Sequence, residues 1–137
     1  MKAINLYINF NGKCREAMKF YQECLGGDLE LQEVKGSPME EHWAGAKDDI
    51  LHASLTINGK QVLMASDMSD QLGYIKGTDF ALTLTCESEE EIYQLFEKLA
   101  AGGNLLDPLK KQFWGAIFGT LQDKFGIKWM LNYNVQQ

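Results

Sequence analysis

The feature of this sequence that most constrains its fold is an internal repeat. Alternating apolar and polar residues in MKAINLYINF predict a strand, and the helical spacing that follows predicts a helix that ends at Gly26-Gly27. The same order returns as a strand from Phe80, a helix capped by Ser88 and a second stop at Gly102-Gly103. The distance in sequence between equivalent residues is constant, as in the pairs Ile4 and Phe80, Phe20 and Phe96, and Gly26 and Gly102. This regularity predicts two structurally similar modules.

Each module also ends with the sequence of a β-hairpin. ILHASLTI and QVLMAS flank Asn58-Gly59, a strong two-residue turn signal, and GAIFGTLQ and IKWMLNY flank a turn at residues 123–126. With weaker strand patterns at Leu29–Val34 and near Pro108, each module is predicted to have the order βαβββ. We therefore expect an α+β fold in one domain, residues 1–137, with repeat modules at approximately 1–67 and 78–137.

Alternation along these strands predicts an apolar and a polar face for each sheet. Burying Ile4, Leu6 and Ile8 beneath the first helix turns the intervening residues to the other face, because successive side chains of a strand point to opposite sides. The residues expected on the polar faces are Asn5, Tyr7, Asn9, His52, Ser54, Thr56, Asp79, Ala81, Thr83 and Thr85. If the two modules join edge to edge into a curled sheet, these residues line a common concavity.

Composition and charge exclude several classes of protein. The formal net charge of −6 and the lack of a basic cluster oppose non-specific nucleic-acid binding, which needs grouped Lys and Arg. No apolar run approaches the length of a membrane span, and the first ten residues alternate as a strand, unlike an export signal. Cys14, Cys24 and Cys86 have the spacing of neither a disulfide framework nor a zinc site. We therefore expect a cytoplasmic protein with no nucleic-acid or membrane partner.

Paired βαβββ modules resemble the vicinal oxygen chelate superfamily, which includes glyoxalase I, fosfomycin-resistance and bleomycin-binding proteins and extradiol dioxygenases. Over nearly the whole chain, YINFNGKCREAMKFYQECLGG, LHASLTINGKQVLMASD and DPLKKQFWGAIFGTLQDKFGIKW are similar to its PhnB-like branch. The resemblance implies a glyoxalase-like fold, with a curled mixed sheet and helices on its outer face, and a homodimer. Some members of the branch carry a demethylubiquinone methyltransferase label, but no glycine-rich strand-to-helix loop suited to a methyl-donor cofactor is present here.

Metal-dependent members of the superfamily place His, Gln or Glu from both modules around one divalent ion. The equivalent positions in this sequence are Ala3 or Asn5, Asp79 or Ala81, His52 or Ser54, and Met130. Only His52 and Asp79 suit such an ion, whereas useful affinity needs three or four protein ligands. The resemblance therefore implies a lost metal site and no cofactor, with a divalent ion at His52 and Asp79 as the open alternative.

The function that this resemblance implies is the binding of a small organic molecule on the concave face, as in the bleomycin-binding members. The expected ligand-binding residues are Asn5, Tyr7, Asn9, His52, Ser54 and Thr83 as polar contacts, and Trp114, Phe118 and Met130 as apolar walls. The alternative is a divalent-metal-dependent lyase, isomerase or dioxygenase. A third interpretation is a structural dimerisation module whose concave face is filled by side chains. The sequence assigns no catalytic residue.

Overall fold

Each half of the chain folds as a unit with one α-helix and four strands. The computed structural model describes residues 1–68 and 73–135, and its two compact units are Met1–Lys76 and Gly77–Gln137. The first unit contains β1 (Tyr7–Phe10), α1 (Cys14–Leu25), β2 (Asp28–Glu33), a 3₁₀ helix (Glu40–His42), β3 (Ile50–Ile57) and β4 (Lys60–Asp67). The second contains β5 (Leu82–Thr85), α2 (Glu89–Ala100), β6 (Asn104–Lys111), β7 (Ala116–Gln122) and β8 (Lys128–Asn134).

The sheets of the two units have the same topology. The strand order is β1-β4-β3-β2 in the first and β5-β8-β7-β6 in the second. In each sheet the first strand runs parallel to the last, and the other neighbours are antiparallel. Parallel neighbours need a long connection, which the helix and two further strands provide here. The α+β class and the two βαβββ modules predicted from the repeat are therefore confirmed.

Helix α1 packs its apolar side on the first sheet and is fixed at its start by a distant carboxylate. Lys13, the residue before the helix, provides no side-chain cap. Asp67, at the end of β4, accepts a hydrogen bond from the Cys14 N–H through Oδ1 (2.9 Å) and from the Ile50 N–H through Oδ2 (2.8 Å). One buried side chain thus joins the starts of α1 and β3 to the end of β4. The buried residues of α1 recur at helical spacing: Cys14, Ala17, Met18, Phe20, Tyr21 and Cys24.

Helix α2 begins with a cap that its own sequence provides. The Ser88 hydroxyl accepts a hydrogen bond from the Glu91 N–H (3.0 Å), and the Glu91 carboxylate accepts one from the Glu87 N–H (2.9 Å). This pattern is a variant of the capping box in which the glutamate accepts from the residue before the cap, and the neighbouring glutamates also stabilise the helix start through their negative charge. Each α-helix has 12 residues, and no helix in the described part of the chain is long and apolar enough to cross a membrane.

Gly27 and Gly103 lie at equivalent positions of the two modules, in the connections from α1 to β2 and from α2 to β6. Each lets its connection pack directly against the backbone of a hairpin, β3–β4 in the first module and β7–β8 in the second. A Cβ atom on Gly27 would collide with the carbonyl oxygen of Thr56, and one on Gly103 would collide with that of Gln122. Gly27 also has a φ of +91°, which residues with a side chain rarely adopt. The double glycines predicted as helix stops therefore serve a second purpose, the close approach of two backbone segments.

The predicted burial of Ile4 and Leu6 beneath the first helix is wrong. Strand β1 pairs with β4 only from Tyr7 to Phe10, so both residues precede the sheet, and the Ile4 side chain is 89% exposed. Phe10 is instead the residue of β1 that is buried, and Ile8 is half-buried. The alternating pattern begins before Tyr7, the first residue that has a partner strand. The pattern therefore overestimates the length of the buried strand.

Candidate functional site

Strand register places two rows of side chains on the polar face of the first sheet. Side chains of paired residues on neighbouring strands lie on the same face, and so do those of every second residue along a strand. We call the residues of these two rows face 1. Its first row is Tyr7, Met64, Ser54 and Glu30, and its second row is Asn9, Ser66, His52 and Gln32.

A hydrogen bond between Tyr7 and His52 is the main polar contact of face 1. The Tyr7 Oη lies 3.1 Å from His52 Nδ1, and the two rings are tilted by 39° with centroids 5.8 Å apart. Tyr7 is exposed and His52 is half-buried, so this pair lies where a ligand can reach it. Two residues far apart in sequence, both predicted as ligand contacts, are thus brought together.

The other predicted contacts of the first module differ in their accessibility. Asn9 is exposed, and its Oδ1 accepts a hydrogen bond from Ser66 Oγ (3.4 Å). Ser54 is on face 1 but is only 3% exposed between its strand neighbours Met64 and Glu30, which limits direct contact with a ligand. Asn5 is exposed but precedes β1, outside the sheet.

The second sheet has an equivalent polar face, which we call face 2. Its first row is Thr83, Met130, Thr120 and Asp107, and its second row is Thr85, Asn132, Phe118 and Lys110. The Thr120 hydroxyl donates a hydrogen bond to Asp107 Oδ2 (2.9 Å). The predicted contacts Thr83, Phe118 and Met130 therefore share one face.

Comparison of the two faces shows a residue that the sequence analysis missed. Met64 occupies the position in the first module that Met130 occupies in the second, because each is paired with a first strand and with a hydroxyl residue of the central strand. The distance in sequence between equivalent hairpin residues, such as Ser54 and Thr120, is shorter than that between equivalent helix residues. The reason is that the connection from β6 to β7 is much shorter than that from β2 to β3, while β6 is slightly longer than β2. Had the sequence comparison allowed for this difference in length, it would have aligned Met64 with Met130.

The aromatic residues of the QFWG segment form the tip of the hairpin between β6 and β7. The Gln112 N–H donates to the Ala116 carbonyl (2.7 Å), and Gly115 closes the turn with a φ of +86°. The Trp114 ring contacts Phe113 edge to face at a centroid distance of 5.0 Å and Phe118 at 6.3 Å. Trp114 and Phe118, both predicted as apolar walls, therefore form one cluster.

The DKFG turn is held by a buried carboxylate. Asp123 Oδ1 accepts hydrogen bonds from the N–H groups of Phe125 (2.8 Å) and Ile127 (3.0 Å), and Oδ2 accepts one from Trp129 Nε1 (2.8 Å). Trp129 is fully buried among the apolar residues of this module. These contacts give the turn between β7 and β8 a structural role beside face 2.

The cysteines are buried thiols. Burial raises the pKa of Cys14 to about 12, with a further contribution from Asp67, and burial raises the pKa of Cys86 to about 11. Nucleophilic cysteines require a readily formed thiolate. The side-chain environments of Cys14 and Cys86 therefore favour packing over covalent chemistry.

The metal-ligating side chains of the described residues do not form a divalent-ion centre. Among residues 1–68 and 73–135, no group of three or more His, Cys, Asp or Glu side chains is arranged to hold a metal ion. His52 is hydrogen-bonded to Tyr7, and Asp79 is exposed in the segment before β5. Met64 and Met130, one on each face, provide thioethers, which suit soft ions and not hard ions such as Mg²⁺ and Mn²⁺.

The fold and these faces can be compared with known proteins. The family model described as Glyoxalase/Bleomycin resistance protein/Dioxygenase superfamily matches residues 4–131. The chain belongs to this superfamily. Protein YjdN of Escherichia coli (strain K12) is 30% identical over 142 residues, which cover 96% of this chain and 95% of YjdN.

Two solved structures are also similar to this chain, and one of them is a PhnB protein. Protein PA1353 from Pseudomonas aeruginosa is 38% identical, with a TM-score of 0.85 over 98% of each chain. The PhnB protein from Bacillus cereus, named a putative 3-demethylubiquinone-9 3-methyltransferase, is 32% identical, with a TM-score of 0.75 over 96% of this chain and 99% of that one. The PhnB-like resemblance of this superfamily member is therefore confirmed.

Proposed function

We propose that this superfamily member binds a small organic molecule through its polar sheet faces and that it does so without a metal ion. The observation that carries the proposal is the Tyr7–His52 hydrogen bond on face 1. Two side chains that both donate and accept hydrogen bonds meet there within reach of solvent. Ligand sites commonly combine a few such polar groups with an apolar lining, to which Met64, the strand neighbour of Tyr7, contributes on face 1.

The chemistry of the pair determines what a ligand can contact. In a neutral imidazole one ring nitrogen donates and the other accepts. If Tyr7 donates to His52 Nδ1, then Nε2 carries the proton and donates to a ligand acceptor such as a carbonyl. If Nδ1 donates to Tyr7, Nε2 accepts from a ligand hydroxyl or amide. The pair thus adapts to either kind of ligand with a single proton shift.

A homodimer forms part of the proposal. Ile4 and Phe80 are equivalent residues of the two modules, and their side chains are 89% and 86% exposed. Each precedes the first strand of its sheet, a strand that has a partner on one side only. Large apolar side chains that remain in water at equivalent positions support association with a second chain.

The proposal is tested with chelator-stripped protein and a library of small carbonyl, amide and carboxylate compounds, screened by thermal shift and by NMR. Ligands of face 1 are expected to lose roughly threefold to tenfold in affinity in Tyr7→Phe and in His52→Ala, the cost of one hydrogen bond. His42→Ala is the matched control, because His42 is the other histidine and is exposed in the 3₁₀ helix. A screen whose hits bind the Tyr7 and His52 variants as tightly as the unchanged protein would contradict the proposal.

Calorimetric titration with Ni²⁺, Zn²⁺, Mn²⁺ and Fe²⁺ tests the metal-dependent alternative separately. We expect no saturable binding of one ion per chain that depends on His52. Such binding, lost in His52→Ala and kept in His42→Ala, would contradict the metal-free proposal and direct the search to lyase, isomerase and dioxygenase substrates.

A further inference from the structure

The hairpin tip between β6 and β7 presents three aromatic rings that the core of the second module does not use. Phe113 is 96% exposed, Trp114 is 54% exposed, and the two rings meet edge to face beside Phe118. By contrast, the third tryptophan of the chain, Trp129, is fully buried and hydrogen-bonded to Asp123. The exposed rings form a surface on which a planar group can stack.

A lysine lies beside these rings, although the net charge of the chain is negative. The protein has a net charge of −6, but β6, the strand that leads into the hairpin tip, ends with two lysines, Lys110 and Lys111. Lys110 is paired across the strands with Phe118, which places its side chain on face 2 beside the aromatic cluster. Lys110 forms no ion pair with any residue that the structure describes. A negatively charged ligand group is therefore favoured at this point.

We propose that Lys110, Phe113, Trp114 and Phe118 form a subsite for a planar aromatic anion, such as an aryl carboxylate. The rings stack on the planar part of the ligand, and the Lys110 ammonium pairs with its carboxylate. Asn132, the other strand neighbour of Phe118, adds an amide within reach of the same group. This inference rests on the proposed function and deepens it, since it names the class of ligand that face 2 accepts.

The probes for this subsite are 2-naphthoate, neutral 2-naphthylmethanol and non-aromatic cyclohexanecarboxylate. The protein is labelled with 5-fluorotryptophan, so that Trp43, Trp114 and Trp129 give separate ¹⁹F signals that single Trp→Phe variants assign. We expect 2-naphthoate to shift the Trp114 signal in a saturable manner and to leave the Trp129 signal in place. Binding of 2-naphthoate is expected to be about threefold to tenfold tighter than that of either other probe.

Substitutions separate the roles of ring and charge. Trp114→Ala is expected to weaken 2-naphthoate binding about tenfold, and Tyr93→Ala, which removes an exposed ring from α2, is the matched control. Lys110→Gln is expected to abolish the preference for 2-naphthoate over 2-naphthylmethanol. Lys111→Gln is its control, because Lys111 is paired with the buried Ile117 and so lies on the opposite face.

Three results would overturn the inference. One is a 2-naphthoate titration that leaves the Trp114 signal unmoved or moves the Trp129 signal equally. Another is a preference for the anion that survives in Lys110→Gln. The third is a change of molecular mass in light scattering for Trp114→Ala without a change in probe binding, which would make the tip an interface between copies. The readout at Trp114 is separate from the screen that uses Tyr7 and His52, so failure here is distinguishable from failure of the proposed function.

Discussion

Removal of the Asp67 carboxylate is expected to destabilise the first module by about 3 kcal/mol. Asp67 accepts hydrogen bonds from the N–H groups of Cys14 and Ile50, two fully buried residues. In Asp67→Ala both donors lose their acceptor, at about 1–3 kcal/mol each, and the start of α1 loses a favourable negative charge. The substitution also ends the desolvation of a buried carboxylate, which lowers the net loss to about 3 kcal/mol. Urea unfolding followed by circular dichroism measures this loss.

Asp48→Ala is the matched control for this substitution. Asp48 is exposed, lies two residues before Ile50 and belongs to the same module, so its removal is expected to change the free energy of unfolding by less than about 0.5 kcal/mol. If Asp67→Ala unfolded at the same urea concentration as Asp48→Ala, the carboxylate would not be what fixes α1 and β3 to β4.

The pH dependence of this difference follows from the pKa of Asp67. Burial raises this pKa above the ordinary value of 3.8, the hydrogen bonds from Ile50 and Cys14 lower it less, and the Asp49 carboxylate adds to the rise. The native state therefore binds the proton more tightly than the unfolded chain does. The contribution of Asp67 to stability is complete below pH 3.8 and declines as the pH rises through the raised pKa. A stability difference between the protein and Asp67→Ala that grew with pH in this range would refute the assignment.

Substitutions at three further positions test other parts of the structure. Asp123→Ala is expected to cost about 3 kcal/mol in urea unfolding, because it leaves the buried Trp129 Nε1 without this acceptor, whereas Asp123→Asn keeps an acceptor and is expected to cost less. Gly103→Ala is expected to cost about 2 kcal/mol or more, since its Cβ would overlap the backbone of Gln122; equal stability would refute the close approach. Phe80→Ser is expected to shift a dimer to monomer in light scattering at micromolar concentration, and an unchanged mass would place the interface elsewhere.

The sequence was sufficient to predict the fold because several local signals agreed with one repeat. Asn58 has the positive φ that a two-residue hairpin turn requires, and Ser88 caps α2 as its position indicated. Each signal depends on a few neighbouring residues and needs no knowledge of distant contacts. The recurrence of the same signals at a constant distance along the chain then made the order of elements hard to mistake.

What the sequence could not provide is any feature set by pairing between distant segments. The start of β1 at Tyr7 depends on where β4 begins to run beside it. The role of Asp67 depends on backbone groups 53 and 17 residues away. The equivalence of Met64 and Met130 depends on bulges and connection lengths that change the offset within a module. A period-two pattern shows which residues share one face of a strand, but it does not show which strand pairs with it or in which register.

The two faces, compared row by row, show where the two modules differ in side-chain chemistry. On three of their four strands, the first rows have the same order of side chains: a methionine, a hydroxyl residue and a carboxylate. These residues are Met64, Ser54 and Glu30 in face 1, and Met130, Thr120 and Asp107 in face 2. The second rows differ: His52 and Gln32 in face 1 correspond to Phe118 and Lys110 in face 2. The first rows differ as well at their first strand, where Tyr7 in face 1 corresponds to Thr83 in face 2. The Tyr7–His52 pair and the Phe118–Lys110 pair are therefore each present in one module only, which supports the proposals of hydrogen-bonding recognition by face 1 and of stacking with charge pairing by face 2.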